Sequence, residues 1–436
     1  MKRMNVVRAL ILASLALMAP CQTGAAANTT TDIQDSTFVP ANVLSAQKAL
    51  YYLSLPAGLS STAAFVLASD TSLSPFATDS DALTLNLAPQ TVANVVAPLL
   101  AGKPNAAVEV GIISPYGQAT YGFGAASGAG SAPPNGDSQF EIASITKTFT
   151  GTLLGQASLD GLVNLNGPAQ AYMPQGISLP SYNGQAITLT NLATHTSGLA
   201  PNVPSGTFNP SQADFAAFVN GSSLAQAPGA SFNYSNVGAA LAGQAADQVF
   251  GLPYQQLLQQ NILGPLGMSE TSTLPLSGDY GVQGYDQNGN PVPLDSFNPP
   301  TEVAAGGLKS TANDMLKYLA ANVGLTPTAL YPAMQLAQSP RYAMAPEVNL
   351  GLFWISFPDD GQTFVYHAGG LTGASSDAVM SDPFQTGVVI FYNYNPLTTV
   401  GNSTAGTDIV NMGNEILDMQ TQLDKFEQAD TAYLGL

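Results

Sequence analysis

The chain has 436 residues, of which ten are Lys or Arg and 28 are Asp or Glu, so its formal net charge at pH 7 is −18. Such acidity disfavours nucleic acid and anionic membranes as partners, because both require a basic face. The single cysteine, Cys21, excludes a disulfide framework, a thiol nucleophile outside that position and a cysteine-ligated metal cluster.

The N-terminus has the layout of a secretory signal peptide over residues 1–27. Three cations among the first eight residues precede an apolar run at 9–19, and three alanines at 25–27 offer a small-residue cleavage site. The run is too short to span a bilayer. We therefore expect a periplasmic or secreted protein with no integral membrane span after cleavage. An ordinary apolar helix and a lipid anchor at Cys21 are the alternatives, and Pro20 disfavours the anchor.

Residues 28–86 predict an N-terminal extension, rich in Ser, Thr, Ala and Asp, with a short helical stretch near 44–53 and no clear strand. Next, Pro89 and apolar residues at helical spacing predict a helix. Two short runs of strand-forming residues, 107–113 and 119–123, then predict a hairpin.

The middle of the chain is helical in pattern, and strand patterns return towards the end. Helices are predicted at 148–159, 213–220, 237–249 and 254–262. Strands are predicted at 351–357, 363–367, 374–380 and 387–392, followed by a helix at 408–423. This order predicts a sheet built from both ends of the chain, with the helical part inserted as a second lobe.

The stretch Ser144-Ile-Thr-Lys147 combines a hydroxyl and an amine at the start of an apolar run. At i and i+3 of a helix the two side chains share a face. A serine hydroxyl is a poor nucleophile unless a neighbour takes its proton, and lysine can do so only when it is neutral. The pattern itself is weak, because Ser45-Ala-Gln-Lys48 matches it equally well.

Two further segments supply partners for this pair. Tyr234-Ser-Asn236 offers a phenol that could exchange protons with the serine and an amide that could hold a substrate carbonyl. His367-Ala-Gly369-Gly370 ends a predicted strand, and its glycines let a substrate backbone approach closely. The backbone N–H groups of Ser144 and Gly370 could form an oxyanion hole.

In this order, the three elements resemble the signature motifs of the serine β-lactamase and penicillin-binding protein family. The Tyr-x-Asn version is similar to class C β-lactamases, D-alanyl-D-alanine carboxypeptidases and related esterases. Further segments look like family landmarks: Leu192–Leu199, Gly264–Met268, Ala305–Leu308 followed by Ser310-Thr311, and Gly351–Trp354.

The resemblance covers residues 88 to about 425. It implies an α+β, β-lactamase/transpeptidase-like fold over 87–436, with an antiparallel sheet flanked by N- and C-terminal helices. The sheet lobe is expected at about 87–143 and 300–436, and an inserted helical lobe at about 144–299.

The same resemblance implies roles for individual residues. Ser144 would be the acylated nucleophile, with Lys147 and Tyr234 as proton-transfer partners and either of them as the base. The groups that bind substrate would be Asn236, His367, Gly369 and Gly370.

One departure from the family concerns the third motif. Efficient β-lactamases of this kind carry Lys-Thr-Gly, whose cation and hydroxyl engage the substrate carboxylate, whereas here His367 and Ala368 stand in the first two places. A histidine of ordinary pKa is mostly neutral at pH 7 and charged below pH 6. Fast β-lactam hydrolysis at neutral pH is therefore doubtful, and peptidase or esterase chemistry tolerates the change better.

Each assignment has a purely structural alternative. Ser144 and Lys147 could be a helix N-cap and a surface lysine, Tyr234 and Asn236 a helix-entry turn, and His367 a strand histidine at the cleft rim.

Three other residues are expected to be structural. His195 is expected to hydrogen-bond loop backbone near the site, and Trp354 to pack in the core. Lys309 is expected to be an exposed charge, with contact to substrate as the alternative.

The sequence thus predicts an exported serine hydrolase that forms an acyl-enzyme on D-alanyl peptides or β-lactams and needs no cofactor or metal. A family esterase on small esters and a penicillin-binding-like module without turnover are the alternatives. Competing schemes find little support, because the chain has no Gly-x-Ser-x-Gly, His-Glu-x-x-His or phosphate-binding Gly-rich motif.

Overall fold

The computed structural model describes residues 51–53, 63–65, 87–203, 210–274, 281–293, 301–359, 362–394, 411–421 and 424. The predicted signal peptide, the Ser45-Lys48 pair and most of the N-terminal extension lie outside these residues.

The described part of the extension is a strand pair. Strand β1 (Tyr51–Leu53) runs antiparallel to β2 (Ala63–Phe65), with Tyr51 opposite Phe65. The prediction of a helix over 44–53 is therefore wrong at its last three residues, and the expectation of no strand is wrong as well. Two adjacent tyrosines favour an extended backbone, and pairing with a second short segment satisfies its hydrogen bonds.

The remaining strands of the described chain follow in order: β3 (Ala107–Ser114), β4 (Gly117–Gly124), β5 (Phe140–Glu141), β6 (Ser181–Tyr182), β7 (Gln185–Ala186), β8 (Lys309–Ser310), β9 (Tyr342–Ala345), β10 (Val348–Leu350), β11 (Ile355–Asp359), β12 (Gln362–Leu371), β13 (Ala374–Ser381) and β14 (Thr386–Tyr392). Eight of them form one antiparallel sheet in the order β4-β3-β14-β13-β12-β11-β10-β9. Strand β14 pairs with β3, so strands from the early and the late part of the chain are neighbours in the sheet.

The helices in chain order are α1 (Pro89–Leu100), α2 (Thr146–Leu159), α3 (Leu189–Ala193), α4 (Gln212–Asn220), α5 (Asn236–Phe250), α6 (Tyr254–Leu258), α7 (Gly264–Leu266), α8 (Val303–Gly306), α9 (Ala312–Asn322), α10 (Tyr331–Gln338) and α11 (411–421). A π-helical turn, Gln259–Leu263, joins α6 to α7. Within the described ranges, no helix combines the length and apolarity needed to cross a membrane. The predicted α+β architecture is confirmed.

The sheet is buried on both faces, and β3 illustrates how. Val108, Val110 and Ile112 point to one side, where they pack with residues of α1 and α11. Ala107 and Ile113 belong to the core on the opposite side, with α2, α5 and α9. Alternate residues of a strand point to opposite faces, so every position of β3 lies inside the protein.

The predicted strand at 351–357 begins later than expected, at Ile355. Before it, the backbone bends across the helices: Leu352 N donates to Ala337 O at 2.6 Å, and Phe353 N donates to Ala193 O at 3.0 Å. Phe353 also has a left-handed φ of 69°. Because these N–H groups bind helices, they cannot join a strand ladder.

Helices α9 and α10 were not predicted, although α9 lies at the centre of the molecule. Its buried apolar residues Met315, Leu316 and Leu319 recur at helical spacing, so the periodicity was a usable signal. A second signal is Thr311, whose side chain accepts a hydrogen bond from Asp314 N at 3.1 Å as an N-cap.

Several carboxyl groups are buried inside this fold. Burial, reinforced by the charge of Asp137, raises the pKa of Glu109 to about 8. Burial likewise raises the pKa of Asp377 well above its usual value, that of Asp247 to about 7 and that of Asp424 to about 6. The folded protein therefore carries fewer negative charges near neutral pH than its composition indicates.

We predict that Glu109→Gln makes the free energy of unfolding less dependent on pH between 4.5 and about 8. Glu109 on β3 is fully buried, and neither carboxyl oxygen has a hydrogen-bond partner in the described chain. Its folded pKa of about 8 lies above the unfolded value of 4.5, so its stabilising effect is complete below pH 4.5 and is lost as pH rises towards 8. Between pH 5.5 and 7.5 the variant should gain about 1.4 kcal/mol per pH unit relative to wild type.

Denaturant unfolding at several pH values measures this difference. Glu270→Gln, at an exposed position, is the control and should show a constant offset. A Glu109→Gln offset that does not change between pH 5.5 and 8 contradicts the prediction.

Candidate active site

Ser144 lies on a tight turn between β5 and α2. The turn is a 3-10 segment, Ala143–Ile145, and Ala143 has a left-handed φ of 48° that a non-glycine residue rarely adopts. Thr146 Oγ1 stabilises it by donating to Ala143 O at 2.7 Å and accepting from Leu308 N at 3.1 Å. The chain thus holds Ser144 on a strained, cross-braced turn.

Lys147 is completely buried one helical turn along from Ser144. Its Nζ lies 3.0 Å from Ser144 Oγ and 2.5 Å from Ala305 O, and 4.9 Å above the ring of Tyr234. Burial drives the pKa of Lys147 well below its usual value, with the charge of Glu302 acting in the opposite direction. The structural alternative of a surface lysine is therefore wrong, and the neutral amine can accept a proton.

Tyr234 comes to the same point from a distant part of the chain. Its hydroxyl donates to Ser144 Oγ at 2.9 Å, and its side chain is only 3% exposed. Burial raises the pKa of Tyr234, so the phenol keeps its proton. The next residue, Ser235, is the N-cap of α5 and accepts from Gly238 N at 2.9 Å. The helix-entry turn is thus the means by which Tyr234 is positioned.

His195 packs beneath Tyr234, with ring centroids 4.2 Å apart. Its Nδ1 accepts from Ser235 N at 3.1 Å, and its carbonyl accepts from Asn233 N at 2.7 Å. Burial, with the charges of Lys147 and His367, lowers its pKa well below the usual value. The expectation that His195 binds loop backbone near the site is confirmed, and a neutral ring is the form that can accept at Nδ1.

Asn236 stands at the first position of α5, half-buried and two residues from Tyr234. Its Nδ2 donates to Asn202 Oδ1 at 2.7 Å, and its backbone N donates to Pro201 O at 2.7 Å. The amide is thus engaged with the loop before 204, at the edge of the site rather than on Ser144.

Strand β12 brings the third motif alongside the turn of Ser144. A Cβ placed on Gly369 would lie 2.5 Å from Ile142 O, so only glycine allows this approach. Ser376 on the neighbouring strand donates to the same Ile142 O at 2.8 Å. Gly370 follows, paired with Ser375. The strand edge that carries Gly369 and Gly370 therefore lies against the residues just before the nucleophile candidate.

His367 does not behave as an ordinary histidine. It is 2% exposed, and Nδ1 lies 2.7 Å from Ala368 O. Burial, aided by the charge of Lys147, lowers its pKa to about 3. The expectation that His367 becomes charged below pH 6 is therefore wrong, because the imidazole would lose its hydration without gaining a carboxylate partner.

Two more expectations concern residues at the margins of the site. Lys309 was expected to be exposed, but its side chain is only 2% exposed, on β8 opposite Glu141. That expectation is wrong, since β8 is covered on both sides. Trp354 is fully buried and stacks with Tyr318, as expected of a core residue.

Sequence reasoning missed two contributors to the site. Ala305 was noted only as part of a landmark, yet its carbonyl binds the Lys147 amine at 2.5 Å. Glu302 was not singled out, although it is buried and electrostatically coupled to Lys147. The role of Ala305 could not be predicted, because any residue type supplies a backbone carbonyl. Glu302 could have been singled out, because it is an acidic residue within an otherwise apolar run.

Comparison with known proteins decides the family. A model of the beta-lactamase family matches residues 92–407, which is most of the chain. The chain belongs to the beta-lactamase family. Members and relatives of this family are serine hydrolases, and this protein is one of them.

Curated relatives of this beta-lactamase-family hydrolase include two of different kinds. The D-alanyl-D-alanine-carboxypeptidase/endopeptidase AmpH of Escherichia coli (strain K12) is 30% identical over 293 residues, which are 63% of this chain and 75% of the relative. A beta-lactamase of Pseudomonas fluorescens is 29% identical over 325 residues, covering 73% of this chain and 87% of the relative.

Solved structures share the fold. The beta-lactamase/D-alanine carboxypeptidase from Pseudomonas syringae has a TM-score of 0.65 and 23% identity, and covers 76% of this chain and 98% of its own. A class C beta-lactamase has the same TM-score with 21% identity. The beta-lactamase-family hydrolase therefore has the architecture expected from its motifs.

We predict that Gly369→Ala disrupts the site of this beta-lactamase-family hydrolase. The added Cβ would push β12 away from Ile142 and thus from the turn of Ser144. Overpacking of this kind costs roughly 1–3 kcal/mol of stability, and a displacement of about 1 Å can cost on the order of 100-fold in kcat/KM.

Unfolding experiments and kcat/KM measurements on the same preparations test this prediction. Gly167→Ala is the matched control, because its Cβ would meet its nearest neighbours at an ordinary 3.4 Å. Equal activity and stability in the two variants would show that β12 does not press on the turn.

Proposed function

We propose that the protein hydrolyses D-alanyl peptides or β-lactams through an acyl-enzyme, with Ser144 as the nucleophile. The observation that carries the proposal is the convergence on Ser144 Oγ of Lys147 Nζ at 3.0 Å and Tyr234 OH at 2.9 Å. An activated serine needs a proton acceptor within this range. The AmpH relative is named for D-alanyl-D-alanine peptide cleavage, and other relatives are named beta-lactamases.

Lys147 serves as the base in this proposal. Its burial favours the neutral amine, whereas the burial of Tyr234 favours the protonated phenol. Lys147 Nζ therefore takes the proton of Ser144 as Oγ attacks the carbonyl carbon. Tyr234 then passes a proton to the departing amine or alkoxide and regains one from the Lys147 ammonium. At the end of this step the leaving group carries the transferred proton, Tyr234 is protonated again and Lys147 is neutral again.

The backbone and the neighbouring side chains complete the proposed reaction. The N–H groups of Ser144 and Gly370 receive the oxyanion, a contribution of roughly 3 kcal/mol in related chemistry. In this proposal, Asn236, His367 and Gly369 contact the bound substrate. Water attacks the acyl carbon of the Ser144 ester and gives a proton to Lys147. The bond between this carbon and Ser144 Oγ then breaks, the Lys147 ammonium returns the proton to Oγ, and the acid product leaves.

Export completes the proposal. The cations, apolar run and alanines of residues 1–27 support a cleaved signal peptide, and hence a periplasmic or secreted enzyme. A D-alanyl wall peptide or a β-lactam would be met in that compartment.

We predict that a fluorescent penicillin or a fluorophosphonate labels the wild-type protein at Ser144. Ser144→Ala should abolish labelling, and Lys147→Met should slow it roughly 10²–10⁴-fold, which is the usual contribution of a general base. Labelled peptides identified by mass spectrometry provide the measurement.

The controls are Ser45→Ala, in the other Ser-x-x-Lys pair of the sequence, and Lys317→Met, at a lysine that binds Asp314 instead of Ser144. Neither variant should change labelling. Equal labelling of wild type and Ser144→Ala would refute the nucleophile. Saturating reversible binding without any acylation would favour the rival function, a binding module without turnover.

A second candidate function, hydrolysis of small esters, is favoured by His367. The residue that stands in the place of a cation is a buried, neutral imidazole, followed by Ala368 instead of a hydroxyl. A neutral group attracts a substrate carboxylate weakly, and an uncharged ester does not need it.

We predict that the preference between anionic and neutral substrates does not change between pH 5 and 8. His367 stays neutral over this range because its pKa is about 3, so acidification adds no cation for the carboxylate. The ratio of kcat/KM for a D-Ala-D-Ala peptide to that for a p-nitrophenyl ester measures this, with nitrocefin as a third substrate.

Each substrate is measured with wild type and with His367→Asn. The two proteins should show parallel pH profiles of this ratio. A wild-type ratio that rises tenfold between pH 7.5 and 5, and does not rise in His367→Asn, would show that His367 gains a proton and binds the anion.

A further inference from the structure

Glu302 is a buried carboxyl group beside the site that the roles described so far do not use. Its side chain is 7% exposed, and Oε1 has no hydrogen-bond partner among the described residues. Burial raises the pKa of Glu302, and the charge of Lys147 acts in the opposite direction. The buried carboxylate is therefore stabilised when Lys147 carries a proton.

The backbone holds Glu302 in a fixed relation to Lys147. Glu302 immediately precedes α8, and its carbonyl accepts from Ala305 N at 2.8 Å. The carbonyl of that same Ala305 binds Lys147 Nζ at 2.5 Å. Thr301, one residue earlier, is anchored by Gln244, whose Nε2 donates to its carbonyl at 3.2 Å. Glu302 therefore lies at the start of the same helical turn whose Ala305 carbonyl binds the amine of Lys147.

The other groups around the amine do not supply a negative charge. Tyr234 from α5 keeps its proton, and His195 and His367 are buried neutral rings whose pKa values Lys147 lowers further. Ser144 is a hydroxyl. Of the titratable groups that face Lys147 in the described chain, Glu302 is thus the one whose charge favours the ammonium.

We propose that Glu302 is a positioning residue that acts through Lys147. Its carboxylate stabilises the ammonium that forms when Lys147 Nζ takes the proton of Ser144 Oγ. Glu302 itself gains and loses no proton and touches no reacting atom. The inference rests on the proposed function of Lys147 as the base.

The test is the pH profile of acylation in Glu302→Gln, an isosteric change that removes only the charge. Without the carboxylate, Lys147 is a weaker base, so the plateau of the acylation rate should fall roughly tenfold. The same loss makes Lys147 harder to protonate, so the acid limb of the profile should move to lower pH by about half a unit or more. Glu302→Asp, which keeps the charge, should restore most of both effects.

Glu270→Gln is the control, since it removes an exposed carboxylate outside the site. A Glu302→Gln profile with a lower plateau but an unmoved acid limb would overturn the proposal, because it would mean a structural role only. A profile identical to wild type would overturn it as well.

A second measurement keeps the inference separate from the proposed reaction. Titration of Lys147 in protein with ¹³C-labelled lysine, assigned with Lys147→Met, reports its protonation without any substrate. Glu302→Ala, which also removes the charge, provides the comparison if Glu302→Gln does not fold. An unchanged Lys147 titration refutes the role of Glu302, whereas failure of Ser144 labelling refutes the proposed function alone.

Discussion

The structure of the site depends on the exclusion of water from the amine of Lys147. Lys147 is fully enclosed, and its Nζ is shared between Ser144 Oγ, the carbonyl of Ala305 and the face of Tyr234. Each partner comes from a different element, so the fold must bring α2, α8 and the start of α5 together. Enclosure lowers the pKa of the amine, so that it is neutral and can accept a proton, and it also raises the free-energy cost of leaving the surrounding polar groups without partners. The bracing of the Ser144 turn and the placement of Glu302 both follow from this constraint.

Much of the fold and the centre of the site could be predicted from the sequence. The side chains of Ser144, Lys147 and Tyr234 converge as expected, because their chemistry requires particular residue types, whereas Asn236 lies at the edge of the site. Features set by burial were harder to predict. Lys309, for example, is a lysine that tertiary packing places inside the protein.

The protonation state of His367 could not be predicted for the same reason. The residue type indicates an ordinary pKa, but the depth of the strand decides how much hydration the ring keeps, and depth is a property of the whole fold. Burial has the opposite effect on the pKa of carboxyl groups. It raises the pKa of Glu109 and of Asp377, so these groups keep their protons to higher pH than exposed carboxyl groups do. Composition alone therefore overstates the negative charge of the folded protein.

The hydrogen bonds at Ser144 and Lys147 join residues that are far apart in the chain. Tyr234 is 90 positions from Ser144, and Ala305 is 158 positions from Lys147. No short fragment of the chain contains all four, and a random coil brings such distant points together only at a large cost in entropy. The activity of a preparation therefore reports the fraction of chains that keep the native fold after heating or proteolysis.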